Sequence, residues 1–333
     1  MLNQASVFQE QFVPADIVHR EDEVTTISNA LRPIHSHGNP EVTFLFGPTG
    51  VGKTCVAKHT VNELEADLSD VDAQYVNCWQ DYTRFGVLYK LLEGIDAHGT
   101  VHRQSTPKDE LFNRLREQLS RPYVVILDEV DQLAEDHVLY DLYRIPEISL
   151  ICIANRKDDV FPTLDTRVRS RLETGLELQF DRYSQSELVD ILSGRVNEGL
   201  TAGVVTDDQL RRVAELASGD ARVAIGTLRA AANAAHQSNA TRITDAMITQ
   251  GVPEARQRVE KDGLDRLTDH QQELYYIVKD DGPIAPGELY ATYSERVSDP
   301  RCKRTVRKYL RKIEQYGLLE SDGQKRARTY DER

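Results

Sequence analysis

The chain contains no Cys-x-x-Cys pair; its four cysteines, Cys55, Cys78, Cys152 and Cys302, stand far apart. That spacing speaks against a structural zinc site and against a disulfide framework. Each cysteine is therefore expected to be a small buried filler. No apolar run approaches the roughly 20 residues that span a bilayer, and Met1-Leu2-Asn3-Gln4 lacks the basic-then-apolar layout of a signal peptide. A cytoplasmic protein without membrane association is the expectation. There is no internal repeat and no low-complexity tract. Lysine is scarce beside arginine; an acidic, Lys-poor body suits a high-salt cytoplasm, and solubility alone accounts for it as well.

What is present is the balance of a globular protein. The 333 residues are 40% hydrophobic and 29% charged, enough to bury real cores in two or three domains. The net charge of −13 would oppose nucleic-acid binding if it were evenly spread. It is not. Residues 301–328 hold ten Lys/Arg against three Asp/Glu, a local +7 that leaves −20 elsewhere. An acidic body with a basic end is a charge asymmetry that suggests where a polyanion would dock.

Along the chain, an N-terminal arm (1–19) leads into a helix-like segment from Arg20 to Leu31. Short apolar runs at Val42–Phe46, Ala73–Cys78, Tyr123–Leu127 and Leu150–Ala154 alternate with helical patterns at 53–68, 85–94 and 110–119. Such alternation predicts an α/β domain over 20–180, with a parallel sheet covered on both faces. After about Phe180 the strand signals fade, and helical spacing at 184–198, 207–217 and 220–237 predicts a small helical domain over 181–255. The stretch 252–263 is polar and reads as a linker. The tail, 264–333, reads as three helices followed by a two-stranded wing.

Gly47-Pro48-Thr49-Gly50-Val51-Gly52-Lys53-Thr54 fits G-x-x-x-x-G-K-[ST] at every position, between an apolar strand and a helix. Its glycines let backbone N–H groups turn in around phosphate oxygens, and the helix N-terminus adds its positive dipole end. Lys53 would reach the β- and γ-phosphates of ATP or ADP, and Thr54 would hold Mg²⁺. Tyr123–Leu127 runs into Asp128 and Glu129, the former suited to Mg²⁺ and the latter to polarising an attacking water. The fourth strand ends at Asn155, whose amide could orient that water; Asn is also a common turn residue.

Together the loop Gly47–Thr54, the run Leu127-Asp128-Glu129-Val130-Asp131 and Asn155 resemble AAA+ ATPases. Further segments resemble the archaeal origin-recognition initiators, relatives of the eukaryotic origin recognition complex subunits and their helicase-loading partner. These are Phe12-Val13-Pro14 with Ile17–Glu21, Tyr75–Cys78 with Thr83, Leu164–Arg171, and Ser218-Gly219-Asp220-Ala221-Arg222. The resemblance implies an AAA+ domain, a helical lid and a C-terminal winged helix. It further implies an adenine pocket around Pro14, Val18 and Arg20, and Arg222 as a sensor of the γ-phosphate. Arg167 or Arg171 would act as an arginine finger on a neighbouring subunit; spacing says only that the two share a helix face. Implied partners are double-stranded origin DNA, an MCM-type replicative helicase, and paralogous or identical copies meeting through AAA+ domains. The chain departs from the family in its short arm, and in the region 94–107, which is neutral or acidic apart from Arg103 where that family carries a DNA-contacting helical element.

In the tail, Pro286–Tyr293 reads as a second helix and Arg301–Tyr316 as a third. Cys302, Val306, Tyr309, Leu310 and Ile313 share one face of the third; Arg304, Arg307, Lys308 and Arg311 fall opposite. Asp322-Gly323 marks a tight turn, with Lys325, Arg326 and Arg328 beginning the return strand. A basic helix of this kind would gain affinity from counterion release and specificity from arginine contacts to base edges. The composite reading is a slow, switch-like ATP hydrolase that initiates replication. Two other readings are an ATP-switched transcription or signalling regulator and a ring-forming motor subunit. No long repeat sensor domain supports the former, and the basic tail counts against the latter.

Overall fold

Strands buried on both faces read as unbroken apolar runs, and the first half of the chain is built on them. The computed structural model describes residues 3–36, 42–99, 107–135, 137–323 and 328–332. Strands β1 (Thr43–Phe46), β3 (Tyr123–Asp128) and β4 (Ile148–Ala154) are buried at every position, whereas β2 (Asp72–Asn77) and β5 (Leu176–Gln179) are half-buried edges. All five run parallel in the order β2-β3-β4-β1-β5. The fifth strand goes beyond the sequence expectation; its four residues, Leu-Glu-Leu-Gln, are too few to announce themselves.

Because successive strand residues point to opposite faces, the sheet feeds two cores. Phe44, Phe46, Val125, Leu127, Leu150 and Cys152 pack with α3 (Arg84–Gly94), α4 (Lys108–Gln118) and α5 (His137–Tyr143). Leu45, Val124, Ile126, Ile151 and Ile153 pack on the other side with α1 (Glu21–Leu31) and α2 (Lys53–Asp67). The register sets Phe46 beside Ala154 and Asp128 beside Ile153. The carboxyl ends of the three central strands therefore come level, and Gly47, Glu129 and Asn155 follow along one edge.

Two short helices, α6 (Lys157–Val160) and α7 (Thr166–Leu172), precede β5, and α8 (Gln185–Gly199) follows it. Ser184 and Glu187 form a capping box that starts α8. The arm is packed against this helix. Buried Arg195 donates to the Val7 carbonyl (2.8 Å) and lies over the Phe12 ring (4.6 Å). Gly199 is required there, since an added Cβ would stand 2.5 Å from the Phe8 ring.

The chain folds as two compact units, Asn3–Thr201 and Ala202–Arg333. The second contains α9 (Asp207–Ala217), α10 (Ala221–Gln237), α11 (Asp245–Leu264), α12 (Asp269–Asp281), α13 (Pro286–Arg296), α14 (Lys303–Gln315) and the antiparallel pair β6 (Leu319–Asp322) and β7 (Thr329–Glu332). A backbone bridge between Ile284 and Tyr330 adds a third edge to that pair. The stretch 252–263, expected to be a linker, is instead the second half of α11. Pro253 forgoes one helical hydrogen bond, but Ile248, Val252 and Ala255 are buried on one face. Gly251 lets α10 approach so closely that a Cβ would lie 3.0 Å from the Thr227 carbonyl. Tertiary packing overrides the breaker signal.

Cys78 and Cys152 are buried as expected, with burial pushing the Cys152 thiol up to about 12. Cys55 is half-buried and Cys302 exposed, contrary to expectation. Cys302 precedes α14 in extended conformation, so it never joins the helix face assigned to it. The return strand is described over Thr329–Glu332; Lys325 and Arg326, assigned to its beginning, lie outside the described residues, as does Arg103.

Candidate functional site

Between β1 and α2 the chain must reverse direction and present backbone donors, and three glycines with positive φ make the turn: Gly47 (147°), Gly50 (80°) and Gly52 (91°). Side chains are excluded at two of them. A Cβ on Gly47 would meet the Phe180 carbonyl at 2.3 Å, and one on Gly52 the Tyr183 hydroxyl at 2.5 Å. Gly52 caps α2 without a capping side chain, so the N–H groups of the first turn face outward into the loop Gly47–Thr54 that encloses Pro48, Thr49 and Val51.

Lys53, 8% exposed, donates from Nζ to the carbonyls of Gly47 (2.5 Å) and Pro48 (2.7 Å) and to Asn155 Oδ1 (3.3 Å). The Asn155 carbonyl in turn accepts from Gly47 N–H (3.1 Å). Thr54 Oγ1 donates to Asp128 Oδ2 at 2.7 Å. Glu129, next in line, has φ +58°, a left-handed conformation that a non-glycine residue adopts at a cost and that turns it out of the strand direction. The structure thus makes two hydrogen-bonded pairs from neighbouring residues of α2, Lys53 with Asn155, 102 residues away, and Thr54 with Asp128. Among the described residues no three His, Cys, Asp or Glu side chains cluster to form a closed metal cage.

Two participants had no assigned role in the sequence. Tyr75, on β2, donates from its hydroxyl to the same Asp128 Oδ2 at 3.0 Å. Lys58 Nζ sits 3.5 Å from the centroid of the Tyr75 ring. Lys58 follows Thr54 by four residues and so shares its helix face; that spacing was the one available signal.

Around the adenine-side candidates, Pro14 is half-buried with its carbonyl 3.2 Å from His59 Nδ1, and Val18 is exposed. Arg20 is buried, donating to Glu23 Oε1 (2.9 Å) and the Asp181 carbonyl (2.6 Å). It stacks 4.4 Å from the centre of the Tyr183 ring, whose hydroxyl backs Gly52. Arg20 therefore supports the phosphate loop through Tyr183. Both finger candidates lie on α7; nothing is described of the Arg167 side chain, and Arg171 Nη1 donates to Tyr140 Oη at 2.7 Å. Arg222 belongs to the second unit, in the first turn of α10, where it pairs with the N-cap Asp220 at 3.1 Å.

On α14 the two faces divide as their residues dictate. Val306, Leu310 and Ile313 are buried in the core with Tyr293 and Leu274; Arg304, Arg307, Lys308 and Arg311 are exposed. None of the four makes an ion pair among the described residues. Lys303 extends this face over the Tyr290 ring (5.1 Å), and half-buried Arg328 lies over Tyr330 (5.9 Å). No helix of the described residues is long and apolar enough to cross a membrane.

Comparison with known proteins places the chain among its relatives. A family model described as an AAA domain matches residues 36–160, and one described as the Cdc6 AAA+ ATPase-type lid domain matches 189–252. The chain is 42% identical over 330 residues to ORC1-type DNA replication protein 9 of Halobacterium salinarum, covering 99% of this chain and 93% of that one. It is 45% identical over 307 residues to ORC1-type DNA replication protein 1 of the same organism, covering 92% and 100%. Among solved structures, the Aeropyrum pernix ORC1 protein in complex with DNA superposes with a TM-score of 0.76 at 29% identity, covering 99% of this chain and 92% of that one.

Proposed function

Because the chain belongs to the ORC1-type DNA replication proteins, which are AAA+ ATPases, we propose that it is an ATP-switched initiator that grips origin duplex DNA and helps recruit or load an MCM-type replicative helicase. The observation that carries the DNA half is the four-residue basic face of α14, exposed and without acid partners among the described residues in a chain of net charge −13. With α12, α13 and the β6–β7 pair, α14 reads as the recognition helix of a winged helix, and Arg328 with Lys325 and Arg326 as its wing. The Aeropyrum pernix relative was solved with DNA.

The nucleotide half rests on the fit of the loop to a triphosphate. Gly47 and Gly52 leave no room for Cβ atoms, the α2 N-terminus points its first-turn N–H groups towards the loop, and Lys53 brings a near-buried ammonium to the turn. Pro14, Val18 and Arg20 would border the base. Thr54 and Asp128 offer two oxygen donors, the number Mg²⁺ commonly takes from protein when waters and phosphates supply the rest. Mg²⁺ held there would neutralise charge on the phosphates. Glu129 would take a proton from the attacking water, Asn155 would orient it, and Lys53 would stabilise charge on the transferring phosphoryl group. An arginine from a neighbouring copy or paralogue, Arg167 or Arg171, would complete the site. Hydrolysis that waits for such a partner is slow by construction, which suits a switch.

Replacing Arg304 and Lys308 together by alanine tests the DNA half. Affinity for duplex DNA should fall, and the slope of log affinity against log salt should flatten by about 2, one unit per lost phosphate contact. Full affinity with an unchanged slope would exclude α14 as the DNA-gripping face.

A further inference from the structure

The carboxylate expected to face the metal accepts a hydrogen bond from Tyr75, whose ring carries the Lys58 ammonium, and the phosphate chemistry uses neither residue. We propose that Tyr75 and Lys58 act as positioning residues for Asp128, holding one of its oxygens so that the other faces Mg²⁺. The inference rests on the nucleotide-site reading above.

Asp128 Oδ2 accepts two hydroxyl hydrogen bonds, from Thr54 (2.7 Å) and from Tyr75 (3.0 Å). A carboxylate oxygen has two lone pairs, so both sites on Oδ2 are spent and Oδ1 is left for a cation or its water. The Thr54 bond alone would let the carboxylate swing about it. The second, from a different element, removes that freedom: Tyr75 lies on β2 opposite Ile126, diagonal to Asp128 across the strand pair. Tyr75 is itself held, since its ring packs against the core shared with α2.

Lys58 completes the arrangement. Its ammonium is half-buried with no carboxylate within ion-pair distance among the described residues, and it lies on the face of the Tyr75 ring. Burial pushes its ionisation down, and the charge of Asp128 pulls it back up. A cation on the π-face draws density from the phenol and makes its O–H a better donor. Residues that orient a metal ligand from outside typically govern metal affinity by about 10- to 100-fold.

The test measures metal dependence by direct binding. Full-length Tyr75→Phe, Lys58→Met and unaltered protein are titrated calorimetrically with ADP across a MgCl₂ series. The unaltered chain should bind ADP more tightly as Mg²⁺ rises. In Tyr75→Phe the Mg²⁺ midpoint should move up about 10-fold, with metal-free ADP affinity unchanged; Lys58→Met should move it in the same direction by less, and decides the matter if the phenylalanine variant does not fold. Midpoints within about twofold of the unaltered protein would overturn the inference, as would an equal loss of ADP affinity with and without metal. An unaltered chain that binds no ADP would instead overturn the nucleotide site on which the inference stands.

Discussion

At the scale of single residues, Gly52 illustrates how completely a position can be constrained. Its φ of 91° penalises any Cβ, and a Cβ placed there would also strike the Tyr183 hydroxyl at 2.5 Å. The two costs are separable. Gly52→Ala should lose about 3 kcal/mol of stability, of which the left-handed backbone accounts for about 1 to 2. Adding Tyr183→Phe removes the oxygen and should restore the steric part alone. Thermal melts of the two variants check this; full recovery in the double variant would show that backbone conformation carries no cost there. Contiguity explains what could be read beforehand. Gly47 to Thr54 is one run, and Asp128 with Glu129 ends an apolar run, so chemistry and chain order coincide. Tyr75, Lys58 and Tyr183 meet this site only through strand neighbours and helix faces, which one-dimensional order does not disclose.

At the scale of elements, α9 matches its expected span at both ends because its apolar positions repeat cleanly and Thr206 with Gln209 caps it. The misread element is α11, whose polar second half looked unstructured. Glu260 on that half shows what holds it. The carboxylate accepts from Tyr275 Oη (2.6 Å) and Lys279 Nζ (2.6 Å) on α12, and Lys279 also reaches Glu332 of β7 (2.9 Å). Burial pushes the Glu260 carboxyl up, but the bonds from Lys279 and Tyr275 outweigh it and hold it below its ordinary value. A depressed carboxylate contributes stability that is present above its unfolded-state value and lost as pH falls through the folded one. Lys279 is raised, first by its bond to Glu260, so it stays charged through acid and neutral pH, and the loss on acidification follows Glu260. Glu260→Gln should therefore cost about 1 kcal/mol at neutral pH, and its deficit should shrink as pH falls below the ordinary carboxylate range. Denaturant unfolding at about pH 7 and below about pH 4 measures it; a deficit independent of pH would mean the charge is not what matters.

At the scale of the whole chain, the acidic body and the basic α14 answer salt with opposite signs. A body of −20 repels itself, and raising ionic strength from about 0.1 to about 1 M shortens the screening length from about 10 Å to about 3 Å. The melting temperature should rise across that range of KCl while duplex DNA affinity falls. A melting temperature that drops with KCl would contradict the charge argument. The −20 body and the +7 segment were legible from residue counting alone. Not legible was how the helices ahead of α12 join the C-terminal ones. An uninterrupted α11 of 20 residues is a rod of about 30 Å, where a polar linker would have been a slack tether. A tether absorbs motion; a rod transmits it.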